Sequence, residues 1–124
     1  MKYSTLLVLL LVSGFGHAAA PLTGEQIKAL IAGNSAAGFA DSLGKHYTAY
    51  YSPEGKLVQV LEDKKRREGV WSIQSDQFCT QLEQEKPRCT KLVPGDNGEY
   101  LRMNPEGMVT NTFKKFYKGN AYKY

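Results

Sequence analysis

Apolar residues recur along this chain in two different patterns. Between Thr23 and Asn34 the period is helical: Ile27, Leu30 and Ile31 repeat at the spacing of one helix face. Thr23 followed three residues later by Gln26 is a capping box, and Gly33-Asn34 supplies a stop that tolerates left-handed backbone. The spacing predicts a helix of about three turns, too short to persist without a partner surface. From His46 onward the pattern changes. Segments rich in aromatic and β-branched residues run over His46–Tyr51, Lys56–Glu62, Val70–Gln74, Gln77–Leu82, Arg88–Val93, Glu99–Met103 and Met108–Phe116. Turn residues separate them, including Pro53-Glu54-Gly55 and Pro105-Glu106-Gly107, where proline presets φ and glycine accepts the positive φ that rejoins the strand. Strands at this even spacing predict an antiparallel meander. The stretch Ser35–Gly44, interrupted by Gly38 and Gly44, adds an eighth and poorly formed strand. The predicted fold is mainly β: one N-terminal helix packed beside or across seven or eight antiparallel strands, open or partly closed into a barrel.

The two cysteines give that strand reading a test. A hairpin centred on Gln84 sets Cys79 directly opposite Cys89. Opposed Cβ atoms in a sheet lie about 4.5–5.5 Å apart, close enough to bridge after a small adjustment. A disulfide is expected, and a disulfide implies an oxidising compartment.

The N-terminus points the same way. Lys2 precedes an apolar run from Leu6 to Val12, followed by small residues, which is the order of parts in a secretory signal peptide. The run is too short to cross a bilayer, for which about 20 apolar residues are needed. Cleavage after Ala18 keeps Gly16 and Ala18 in the recognition positions; cleavage after Ala20 is the alternative, disfavoured by Pro21 at the scissile bond. Residues 1–18 are therefore read as leader and 21–124 as a single β-rich domain, periplasmic or secreted, with no transmembrane segment after cleavage.

Charge adds little to this picture. Of the 16 lysines and arginines, Lys2 lies in the leader, so against 12 acidic residues the exported chain is only mildly basic. The cations are nevertheless clustered. Lys64, Lys65, Arg66 and Arg67 fall in the predicted loop before Val70, and Lys114, Lys115 and Lys118 interleave with aromatics near the C-terminus. Both are candidate anion-binding patches for an envelope polymer or lipid headgroups. Asp63 and Glu68 bracket the first cluster, and lysines also guard strand edges, so a solvated surface explains them equally. Nucleic acid is a disfavoured partner.

No catalytic constellation emerges. His46, outside the leader, has no second ligand at metal-binding spacing, and paired cysteines leave neither a zinc site nor a nucleophilic thiol. The adjacent carboxylates Glu62-Asp63 and Glu83/Glu85 lie in or beside turns, where their acidities are not separated. No nucleophile elbow or phosphate-cradling glycine loop is present, and no cofactor is expected. The aromatics are abundant for so small a domain. Core filling accounts for most of them; Tyr47, Tyr50, Trp71 and Tyr100 are the candidates to line a barrel mouth around an apolar or amphipathic ligand.

The sequence Leu22-Thr23-Gly24-Glu25-Gln26-Ile27, then Leu30, Gly33-Asn34, Tyr50-Tyr51-Ser52-Pro53-Glu54-Gly55, Gly69-Val70-Trp71, the paired cysteines and the closing Gly119-Asn120 resembles a family of small exported proteobacterial proteins of uncharacterised function. The resemblance implies a compact exported β domain behind an N-terminal helix and brings no catalytic residues. The function expected is a non-catalytic binding module of the bacterial envelope, for a protein partner or a small amphipathic ligand. The alternatives are an envelope-surface protein that holds anionic polymer or lipid through its basic clusters, and a small periplasmic enzyme.

Overall fold

The computed structural model describes residues 19–124, so the predicted leader lies outside the described residues. One helix, α1 (Gly24–Ile31), is followed by eight antiparallel strands that close into a barrel in simple chain order. They are β1 (Asn34–Ala40), β2 (Lys45–Tyr51), β3 (Lys56–Leu61), β4 (Arg66–Gln74), β5 (Gln77–Leu82), β6 (Arg88–Pro94), β7 (Tyr100–Met103) and β8 (Val109–Lys118). Closure comes from β1, which pairs with β2 along one edge and with β8 along the other.

Local chemistry starts the helix where expected, although its eight residues make about two turns rather than three. The Thr23 hydroxyl accepts from the Gln26 amide at 3.3 Å while the Gln26 side chain accepts from the Thr23 amide at 2.9 Å. Gly33 turns the chain at φ 75°, and Asn34 already belongs to β1. The hairpin register also holds: Cys79 faces Cys89 and the two are joined in a disulfide.

Two strands depart from the sequence expectation. The first is β1, a seven-residue strand that completes the ring, with a register shift against β8 between Ala37 and Gly38. Its inward residues are Ala36, Gly38 and Ala40, and at Gly38 the facing Tyr47 occupies the space a side chain would need. A Cβ added at Gly38 would come within 2.6 Å of the Tyr47 hydroxyl. The second is β4, which begins at Arg66, so half of the predicted basic loop is strand. Its alternation puts Arg66, Glu68 and Val70 outside and Arg67, Gly69 and Trp71 inside.

An eight-stranded barrel is just wide enough for side chains to fill, and here the filling changes character along the axis. Helix α1 lies across the end formed by the β2–β3, β4–β5 and β6–β7 connections. It is tied there by the Gly24 amide to the Asp76 carboxylate at 2.7 Å, and by the preceding Leu22 amide to the Leu92 carbonyl at 2.8 Å. Ile27 and Ile31 are fully buried against Trp71, Phe78 and Leu92, and plug that end with apolar surface. At the centre Tyr51, Phe78 and Phe113 meet edge to face at 5.6–6.3 Å, a geometry that aromatic quadrupoles favour. The opposite end carries no plug.

Candidate functional site at the open mouth of the barrel

The inward positions nearest the unplugged end are polar. Gln59 on β3, Arg67 on β4, Thr80 on β5, Arg88 on β6, Arg102 on β7 and Asn111 on β8 surround a cavity of about 90 Å³, with Tyr51 and Leu57 among its lining residues. The turns at Ser42-Leu43 and Glu85-Lys86 form its lip. Four cations (Arg67, Lys86, Arg88 and Arg102) line it against one carboxylate, Glu85.

Arg102 is 5% exposed. Its Nε donates to the Thr90 hydroxyl at 2.7 Å and its Nη1 to the Thr80 hydroxyl at 3.0 Å. Its Nη2 donates to the carbonyls of Phe78 at 3.1 Å and Arg88 at 3.2 Å. The guanidinium also stacks 4.6 Å above the Phe78 ring centre. Every partner is neutral. Among the described residues Arg102 has no ion pair, whereas Lys45, Arg66 and Arg67 each have one. Burial pulls its pKa down from the ordinary guanidinium range to about 10, with Tyr51 and Tyr47 opposing the shift and Arg88 adding to it. It is therefore still a cation at neutral pH.

Arg67 is tethered differently. Its Nε and Nη2 converge on the Gln59 side-chain oxygen at 3.1 and 2.7 Å, and its Nη1 meets Glu85 at 3.0 Å on the lip. Tyr47, fully shielded, donates its hydroxyl to the Asn111 side-chain oxygen at 2.6 Å. Burial raises the pKa of both Tyr47 and Tyr51, so neither phenol ionises near neutrality.

The residues singled out in the sequence scatter. Of the first basic cluster, only Arg67 enters the mouth; Lys64 and Lys65 lie in the β3–β4 turn, and Arg66 pairs with Glu68 outside, with Tyr124 beneath it at 5.9 Å. Lys114 and Lys115 sit on the outer wall beside Phe39 and Tyr117, and Lys118 ends β8. Lys64 and Lys114 do converge, in a shallow outer groove walled by Tyr122 and Tyr124. Among the aromatic candidates, Tyr47 is inside near the mouth and Tyr50 faces outward. Trp71, its indole N–H donating to the Ser52 carbonyl at 2.9 Å, packs toward the plugged end, and Tyr100 lies there beside Phe116. The aromatic that lines the mouth is Tyr51. His46 is outside, against Phe39 at 4.9 Å.

Sequence reasoning missed Gln59, Thr80 and Arg102. The signal was present: Gln59 alternates with Leu57 and Leu61, and Arg102 with Tyr100, so each is a polar residue on an otherwise apolar inward face. No family model, curated protein or solved structure matches this chain, and the chemistry of the mouth rests on its own residues.

Proposed function

We propose that this chain is an exported, non-catalytic binding module whose ligand enters the open barrel mouth. The observation that carries the reading is the contrast between a dry, helix-plugged end and a polar, cation-lined cavity at the other. An interior serving only stability would be apolar throughout, because burying polar groups is costly unless each is matched. Export is supported by the disulfide and by the signal-like leader; the kinship with small exported proteobacterial proteins belongs to the same proposal. The non-catalytic reading rests on the mouth's one carboxylate, Glu85, being half-exposed and tied to Arg67. That leaves no pair of acid and base groups with separated acidities.

The cavity is small. Sites that engulf a drug-sized molecule measure roughly 300–1,000 Å³, so about 90 Å³ takes a small molecule or one end of a larger one. A second reading, attachment to an anionic polymer or lipid through the outer wall, is favoured only by the convergence of Lys64 and Lys114.

Amide chemical-shift mapping separates the two. With the low-molecular-mass fraction of a periplasmic extract as probe, shifts should cluster at Ser42, Thr80, Arg88 and Thr110. Shifts confined to Lys64, Lys114, Tyr122 and Tyr124, and suppressed by salt, would replace the mouth with the outer wall.

A further inference from the structure

The side-chain amide and Thr80 acceptors inside the mouth are occupied while several of their donors are not. The Gln59 side-chain oxygen takes two bonds from Arg67, and the Asn111 side-chain oxygen takes the Tyr47 hydroxyl. The Thr80 oxygen takes Arg102. The matching donors are unassigned. Among the described residues no buried side-chain polar atom lacks a partner, and the amide nitrogens of Gln59 and Asn111, which donate to no protein group, are open to the cavity they line. The Thr80 hydroxyl, having accepted from Arg102, keeps its own proton to give. Four bonds occupy the Arg102 fork, and a guanidinium has five N–H groups.

Resting on the mouth reading, we infer that the ligand is an oxyanion, or presents one, and that Arg102 is the group that recognises it. A buried cation without a counter-charge is unfavourable unless something compensates it. The surplus of donors specifies what does so: a group that accepts hydrogen bonds and carries negative charge. Charge-assisted bonds of this kind are the stronger class. A carboxylate or a phosphate fits within about 90 Å³, and the remainder of a larger ligand would lie outside the lip, near Leu43 and Lys86. Chain-terminal carboxylates and phosphomonoesters share this chemistry.

The test is titration of the full exported chain, disulfide intact, with acetate, succinate, methyl phosphate and inorganic phosphate at constant ionic strength, and with acetamide as the neutral counterpart of acetate. At least one anion should bind saturably by tens of millimolar, shift the Arg102 Nε–H resonance and raise the melting temperature; acetamide should do none of these. The carboxylate and phosphate arms tell the two sources apart. Arg102→Met should weaken binding at least about tenfold while keeping the β spectrum. Should that variant fail to fold, Gln59→Leu and the wild-type Arg102 resonance carry the same test. If acetamide matches acetate, or mouth amides shift while Arg102 does not, the inference fails and the mouth reading stands. Saturation by none of the anions, with no mouth shifts for any probe or for the extract fraction, overturns both.

Discussion

The plugged end and the open end of this barrel are built from the same strands, with the same alternation of inward and outward residues, yet their interiors obey opposite rules. At the plugged end Ile27, Ile31, Leu92 and Trp71 exclude water, and the polar atoms nearby are satisfied by backbone: the Trp71 indole by Ser52, the Leu22 amide by Leu92. At the open end the inward positions of neighbouring strands carry Gln59, Arg67, Thr80 and Arg102. The difference shows how one small fold divides its labour. Apolar packing at one end and the centre supplies the stability that lets the other end hold a cation where a hydrophobe would be more stable.

The comparison predicts that stability is sensitive to cuts at the centre and plug. Phe113→Ala, which removes a fully buried ring in contact with Tyr51 and Phe78, should cost about 3–5 kcal/mol in urea unfolding. A loss below about 1 kcal/mol would mean the centre is not close-packed. Reducing Cys79–Cys89 removes the staple of the β5–β6 ladder, where only three residue pairs are in register. The expected loss is about 2–3 kcal/mol, with amide exchange rising first in the hairpin whose turn forms the lip. Equal loosening at both ends would remove the distinction between them.

Alkali sets the buried phenols of the interior against its buried guanidinium. Burial holds Tyr47 and Tyr51 protonated above the pH near 10 at which tyrosines of the unfolded chain ionise. The folded state therefore binds more protons there, and stability falls as pH rises. Arg102 works in reverse: its folded pKa of about 10 lies below that of the unfolded chain, so its burial becomes less unfavourable as pH rises past 10. Two phenols against one guanidinium leave a net loss that grows above pH 10 toward roughly 1 kcal/mol per pH unit once the unfolded phenols are fully ionised. Urea midpoints across that range measure it, and Tyr51→Phe should flatten the decline. The smallest effect belongs to the cap. Thr23→Ala should cost about 1 kcal/mol, read as an earlier melting of α1, with mouth amides unmoved.

The parts of this architecture that were legible in the sequence are those encoded by neighbours. Thr23 and Gln26 announce the helix start through a bond three residues long, and Cys79 and Cys89 declare their hairpin register because the turn between them is short. What was obscured depends on distant residues. The strand β1 looked irregular because Ala36, Gly38 and Ala40 lack bulk, and their smallness has meaning only once Tyr47 is packed against Gly38. The start of β4 looked like a charged loop because Arg66-Arg67-Glu68 has no apolar member; Arg67 turns inward only because the barrel end that receives it is polar. The same inversion concealed the mouth: a search for aromatic lining residues assumes an apolar pocket, and this one is built from an arginine, an amide and a hydroxyl. Whether the meander was open or closed could not be read locally either, since closure joins Asn34 to Lys118 across nearly the whole domain.

That seam between β1 and β8 bears on how the protein reaches its folded state. Seven of the eight ladders join neighbours in the chain and can form by zippering, but the eighth must wait until both outer strands are in place. Until then the curled sheet has two raw edges, each able to pair with a second molecule. Such long-range pairing is also the slow kind, because the entropy of bringing distant segments together precedes any contact that rewards it. The outward lysines of β8, Lys114 and Lys115, therefore have a use that ends at the moment of closure: they make one of those edges a poor template for a stranger while it waits for its own partner.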